Sequence, residues 1–349
     1  MYRRISGRPT LAVLAATILG LGGAPAHADP ISVPGVTLPA LKSDDGSYIE
    51  DIRVEDARDI RLSVYSAAMN RSFAVDVERP ADPSVPRPAL YLLNGAGGGV
   101  DDASWQLRTD ALDFLADKNI NVVQIIGGAF TFYTDWLQPD PAMGGVNKWA
   151  TYLSKELPPL IDAALGTNGV NAIAGLSMSG IPVLDAVIDN PGMYRSAAVY
   201  SGLTQTSDPI GREAVKLTVG NWGGGTVTNM WGADDNPLWV ANDPTVHAGK
   251  LRGTNLFIST GNGIPGVYDA PGGKFRLEKP EDNARTVAVG AFIEANIDLS
   301  THTLQHRLND LGIPATFVYR ASGTHSWGYW QDDLKASWPV LAQGLYSAP

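Results

Sequence analysis

Apolar and polar positions alternate unevenly along the chain, and the change of rhythm predicts its elements. Ile60–Tyr65 and Ser72–Glu78 are short and rich in β-branched and aromatic residues, which predicts two half-buried strands. Ala89–Leu93 is a continuous apolar run between Pro88 and Asn94-Gly95, the signature of a strand covered on both faces, as in a parallel sheet. From there strands and helices alternate. A helix is predicted near Thr109–Lys118, a strand at Asn121–Ile126, a helix near Lys148–Leu165, a strand at Val170–Ala174 and a helix after Ser177. Further strands are predicted at Ala197–Tyr200, Leu256–Ser259 and Ala315–Tyr319, with a helical segment at Val287–Asp298. This order predicts an α/β fold with a doubly wound, mostly parallel sheet, helices on both faces and an antiparallel start, in which sites gather at the carboxyl ends of the strands.

The ends of the chain read differently. Arg3, Arg4 and Arg8 lead into the apolar run Leu11–Leu21, and Ala26-His27-Ala28 closes it, the layout of a secretory signal peptide over residues 1–28. The Arg3-Arg4 pair also fits a twin-arginine signal, but the hydrophobic stretch is that of general secretion. Residues 29–60, with Pro30, Pro34 and Pro39 followed by Asp44, Asp45, Glu50 and Asp51, read as an extended N-terminal arm. Residues 61–349 are then expected to form one catalytic domain.

Composition narrows the function. The 349 residues are 44% hydrophobic, enough for a sizeable core, while 38 Gly and 24 Pro point to many loops. The net charge of −10, or −13 after cleavage behind Ala28, disfavours nucleic acid and anionic membrane surfaces. Outside the leader no apolar run reaches the roughly 18 residues of a membrane span, so no integral span is expected and the remainder should be soluble. With no cysteine there is no disulfide, thiolate metal site or thiol nucleophile.

The chemistry centres on Gly175-Leu176-Ser177-Met178-Ser179-Gly180. A serine on a tight strand-to-helix turn needs small residues two positions to either side, and Gly175 and Ser179 supply them. Serine also needs a base. His247 lies in a polar stretch, and His302 and His306 share a helix face without a Glu-x-x-His setting, so no metal and no cofactor is expected. His325, in Ser322-Gly323-Thr324-His325-Ser326-Trp327 beyond the last strand, stands where an α/β-hydrolase carries its base. The carboxylate that orients it must lie between the two, and spacing leaves Asp269 and Glu294 open. A helical carboxylate is usually solvated, which favours Asp269. The oxyanion hole needs two backbone N–H groups. Met178, after the serine, offers one, and the glycine-rich loop 94–99 offers the other. That loop lacks the spacing and lysine of a nucleotide cradle.

Eight motifs in one order then resemble the secreted mycolyltransferases, the fibronectin-binding antigens of bacteria with a mycolate envelope. They are Tyr91-Leu92-Leu93-Asn94-Gly95; Phe132-Tyr133-Thr134-Asp135-Trp136; Lys148-Trp149 with Leu153-Ser154-Lys155-Glu156-Leu157-Pro158; Gly175-Leu176-Ser177-Met178; Met230-Trp231-Gly232; Asn242-Asp243-Pro244; Gly261-Asn262-Gly263; and Gly323-Thr324-His325-Ser326-Trp327 with Tyr329-Trp330. The resemblance covers nearly the whole chain after the leader. It implies an α/β-hydrolase fold in which Ser177 takes a mycoloyl group from trehalose monomycolate and passes it to a trehalose ester or cell-wall arabinan. It also implies Glu294, not Asp269, as the acid, with Ala96 giving the second oxyanion N–H. Better-known members carry Asp and Arg at the positions of Asn94 and Gly97, a pair that helps hold trehalose. Asn94, Trp136, Trp231 and Trp327 are candidates to line the substrate site. The partners implied are a glycolipid or acyl-ester donor and a sugar hydroxyl acceptor. A secreted carboxylesterase using water, and an envelope adhesion protein that binds an extracellular matrix protein, are the rival expectations.

Overall fold

A computed structural model describes residues 42–270, 275 and 280–347. The leader expected at 1–28 and the first part of the arm, to residue 41, lie outside the described residues. Nine strands form one sheet: β1 (Tyr48–Val54), β2 (Asp59–Ser66), β3 (Arg71–Glu78), β4 (Ala89–Leu93), β5 (Asn121–Ile126), β6 (Asn171–Leu176), β7 (Tyr194–Tyr200), β8 (Asn255–Thr260) and β9 (Thr316–Tyr319). Their order is β1-β2-β3-β5-β4-β6-β7-β8-β9. The first three strands and β5 are joined antiparallel. From β5 through β9 every pairing is parallel.

The helices are α1 (Trp105–Arg108), α2 (Ala111–Leu115), α3 (Trp149–Thr151), α4 (Leu157–Leu165), α5 (Gly180–Asp189), α6 (Pro209–Lys216), α7 (Val227–Trp231), α8 (Leu238–Ala241), α9 (Pro280–Asp310) and α10 (Trp327–Leu345). The pleat of β4 explains its unbroken apolar run. Ala89, Tyr91 and Leu93 enter one core with residues of α4, α5 and α9. Leu90 and Leu92 enter a second core with residues of α1, α2 and α10. With a helical layer on each face, every position of β4 and β6 is buried, and no polar alternation survives.

Three expectations change in detail. The described part of the arm contains β1, an edge strand whose Tyr-Ile-Glu-Asp-Ile-Arg-Val sequence buries only Ile52. The helix near Lys148–Leu165 is split by a wider π turn at Tyr152–Glu156, where Pro158 and Pro159 remove amide donors from the following turn. The helix near Thr109–Lys118 is observed only as the shorter α2, and α1 lies before the expected span, separated from α2 by the extended Thr109.

Candidate active site

Each parallel strand from β4 to β9 ends at one rim of the sheet, and the loops there supply the site. After β6 the chain turns sharply at Ser177, whose φ of +56° lies in the left-handed region that side chains other than glycine rarely adopt. Close packing enforces the turn. A Cβ on Gly175 would stand 2.7 Å from the Ser179 Cβ, and one on Gly180 would stand 2.6 Å from the Leu203 carbonyl oxygen. The turn leaves Ser177 partly accessible while Met178 and Ser179 are buried.

His325 lies in the loop between β9 and α10, and its Nε2 is 2.7 Å from the Ser177 Oγ, 148 residues away in sequence. Its Nδ1 is 2.9 Å from Glu294 Oε2. The edge of the ring meets Trp330, which in turn packs on Trp327. Glu294 is fully buried on α9. Small residues let that helix approach, since a Cβ on Gly290 would already be 3.1 Å from the His325 nitrogen.

The other oxygen of Glu294 is crowded with donors. Oε1 accepts from the Gly261 N–H and the Ser201 hydroxyl, both at 2.6 Å, from an Arg320 guanidinium N–H at 2.9 Å and from the Thr260 hydroxyl at 3.2 Å. Burial by itself would raise this carboxyl, yet the hydrogen bond and charge of His325 and the Arg320 guanidinium hold it below its ordinary value. Arg320 also reaches Asp333 on α10 with its second fork. Burial raises Asp333 to about 6, against the pull of Arg320.

Asp269 stands elsewhere. Its carboxylate accepts from the Gly266 N–H at 2.8 Å, the Tyr329 hydroxyl at 2.6 Å and the Thr324 N–H at 3.3 Å, so it clamps the loop just before His325. The preference for Asp269, drawn from the rule that a helical carboxylate is usually solvated, is thus corrected: the carboxylate bonded to His325 is the buried Glu294 on α9.

The loop after β4 runs directly over the serine turn, where a Cβ on Gly95 would be 3.5 Å from the Ser177 Cβ and 2.7 Å from a Leu176 methyl. The Gly95 carbonyl accepts from the Gly98 N–H at 2.9 Å, and the Ala96 carbonyl accepts from the Phe130 N–H at 2.7 Å. Phe130, Phe132 and Tyr133 all have positive φ, so the loop that braces Ala96 is itself strained.

Three of the substrate-lining candidates are core residues and are corrected here. Asn94 is fully buried, donating to the Ile125 carbonyl and accepting from the Trp105 N–H. Trp136 and Trp231 are buried as well, with their indole N–H groups on Thr131 and Thr134. Trp327 remains partly accessible, at the edge of Trp105 and Trp330. What the sequence reading missed is Arg320. An arginine one residue past the last parallel strand, five residues before the candidate base, was the available signal.

The sheet order and the serine turn at its rim define the class, an α/β-hydrolase-fold enzyme. Residues 66–341 match the Esterase family. The chain is 30% identical over 355 residues to the diacylglycerol acyltransferase/mycolyltransferase Ag85A of Mycobacterium tuberculosis, covering 100% of this chain and 94% of that one. It is 33% identical over 294 residues to the Ag85B protein of Mycobacterium leprae, covering 82% of this chain and 84% of the relative. Among solved structures, MPT51 (FbpC1) of Mycobacterium tuberculosis superposes with a TM-score of 0.69 at 26% identity, over 83% of this chain and all of that one. An S-formylglutathione hydrolase from Agrobacterium tumefaciens shares the fold, with a TM-score of 0.57 at 16% identity over 85% and 99% of the two chains. The chain belongs to the Esterase family and, within it, to the Ag85 acyltransferases. This is the family that the eight motifs resemble.

Proposed function

We propose that the protein is a serine acyltransferase that moves a mycoloyl group from trehalose monomycolate to a sugar hydroxyl through an acyl-serine. The observation that carries this reading is the unbroken hydrogen-bonded chain from Ser177 through His325 to the buried Glu294. In the first half-reaction Ser177 Oγ attacks the ester carbonyl and His325 Nε2 takes its proton. The same proton then goes to the departing trehalose oxygen. In the second, His325 removes the proton of the acceptor hydroxyl, whose oxygen attacks the acyl-serine, and His325 Nε2 returns that proton to the Ser177 Oγ as its bond to the acyl group breaks. Glu294 fixes the imidazole tautomer and stabilises the imidazolium at both stages.

The oxyanion is assigned to the N–H groups of Met178 and Ala96. Met178 opens the turn into α5, where backbone donors lack helical partners and the helix field favours negative charge. With the Gly95 carbonyl tied to Gly98, the Ala96 N–H across that peptide bond faces the opposite side.

The acceptor surface is expected to depart from one that holds trehalose by an Asp and Arg pair. The Asn94 amide is engaged inside the fold, and the Asp101 carboxylate fills the space that a side chain at Gly97 would need, 2.2 Å from an added Cβ. An exported, envelope-associated location rests on the leader sequence, and no helix among the described residues is long and apolar enough to cross a membrane. N-terminal sequencing of protein recovered from culture medium tests cleavage behind Ala28.

The decisive assay incubates purified protein and Ser177→Ala with trehalose monomycolate, with and without added trehalose, and separates trehalose dimycolate from free mycolic acid. Dimycolate that vanishes in the variant is the expected result. Free acid alone would make water the acceptor, and product formation unchanged by Ser177→Ala would overturn the reading.

A further inference from the structure

We propose that Arg320 and Asp333 form a positioning pair that sets how much of the Glu294 charge is available to His325. This rests on the triad reading above. The geometry is specific. One guanidinium nitrogen of Arg320 bonds both Glu294 Oε1 at 2.9 Å and the Ser201 hydroxyl at 3.0 Å, while the other nitrogen bonds Asp333. Its planar fork lies over the Tyr329 ring, 5.2 Å from the centroid. Two carboxylates, both nearly inaccessible, therefore share one cation on opposite sides.

The consequence follows from charge. Glu294 stabilises the imidazolium that forms on His325 during catalysis, and a cation held on its other oxygen weakens that stabilisation. Asp333 offsets the cation and restores it. Counting Glu294, Arg320 and Asp333, the cluster carries one net negative charge before His325 is protonated and none afterwards, so the charged intermediate is the balanced one. Burial places the Asp333 carboxyl near 6, so its own charge is present only above mildly acidic pH. Other titratable groups facing the cluster are Asp298 on α9, Tyr200 at the end of β7, Tyr329 on α10 and Asp269 in the preceding loop. None of them touches both carboxylates.

The test uses the full chain and hydrolysis of p-nitrophenyl butyrate, with the acid limb of kcat/KM against pH as readout and the His325 ring titration by NMR as a measure independent of turnover. Arg320→Gln should move the limb to higher pH by about one unit, the size typical of removing a close charge. Asp333→Asn should move it to lower pH, and the double variant should fall between Arg320→Gln and wild type. Arg320→Lys keeps the charge without the fork. It should leave the limb in place while lowering kcat. Shifts of both single variants in the same direction, or no shift in either, would overturn the proposal. If the singles fail to fold, the double variant decides alone, since a limb at or below the wild-type position overturns it. Hydrolysis unaffected by Ser177→Ala would instead overturn the triad reading, which keeps the two failures apart.

Discussion

Glu294→Gln is the substitution whose effect the geometry fixes most closely. The side chain keeps its shape, but one of its two oxygens becomes an NH2 group. Oε1 faces the Gly261 N–H, the Ser201 and Thr260 hydroxyls and the Arg320 guanidinium, so a nitrogen placed there would oppose several donors at once. The amide therefore turns its oxygen to that side and its NH2 to His325 Nδ1. Nδ1 must then accept, which puts the ring proton on Nε2, the nitrogen that should receive the proton of Ser177. A wrong tautomer of this kind lowers kcat by about 10^4 in the best-studied serine triad, roughly 5.5 kcal/mol of barrier. Four of the five bonds of Glu294 survive here, so the fold should hold and KM should change little. Stopped-flow acylation by a p-nitrophenyl ester, with labelling by a fluorophosphonate, measures the loss directly. A folded variant that acylates within about tenfold of wild type, some 1.4 kcal/mol, would refute the role given to Glu294.

Asp269→Asn should behave oppositely: it loosens the clamp on Gly266 and Tyr329, costing about 1–3 kcal/mol of stability by thermal melting, while kcat/KM stays within about tenfold. A loss as deep as that of Glu294→Gln would reverse the assignment of the acid. Gly180→Ala should be destabilising by about 1–2 kcal/mol despite its helical position, because the new methyl meets the backbone of Gly202 and Leu203 rather than a movable side chain; a raised Tm would count against it. Burial pushes the Glu78 carboxyl up from 4.5 to about 7, against the pull of Arg58 2.9 Å away. The folded chain then holds a proton that the unfolded chain releases, so this stability is lost as pH rises from about 4.5 to about 7. Glu78→Gln should raise stability at pH 8 by on the order of 1 kcal/mol once the Arg58 pair is discounted, seen as a higher melting temperature, and leave it unchanged near pH 4. An equal change at both pH values would refute the burial argument.

The parts of the fold legible in the sequence are those where one cause dominates. Ala89–Leu93 and Asn121–Ile126 coincide with β4 and β5 because a strand enclosed by two helical layers is mostly apolar, and its ends are marked by turn residues. β1 was hidden because an edge strand beside solvent buries only Ile52 and exposes Glu50, Asp51 and Arg53, and so resembles a tail. Ser177 and His325 could be found by the order and setting of their motifs. Glu294 needed the family resemblance, since its setting is tertiary: Gly290, the bends after β7 and β8, and Arg320 come together only in the folded chain. The same gap misdirected Asn94, Trp136 and Trp231. Polar and aromatic residues near a site cannot be told from those that brace it until their hydrogen bonds are known.

The strand ends that build the site also fix when it can exist. Ser177 follows β6, whereas Ser201 follows β7, Gly261 follows β8 and His325 follows β9 at the far edge of the sheet. An emerging or partly threaded chain therefore carries an ordinary alcohol, with neither base nor oriented carboxylate beside it. Reactivity arrives only after the last strand has docked, a contact that closes a loop of 148 residues and belongs to the late, slow part of assembly. Acylation of Ser177 is thus a readout of completed folding, and a chain cut before His325 loses the base together with α10, the helix that covers one face of the sheet.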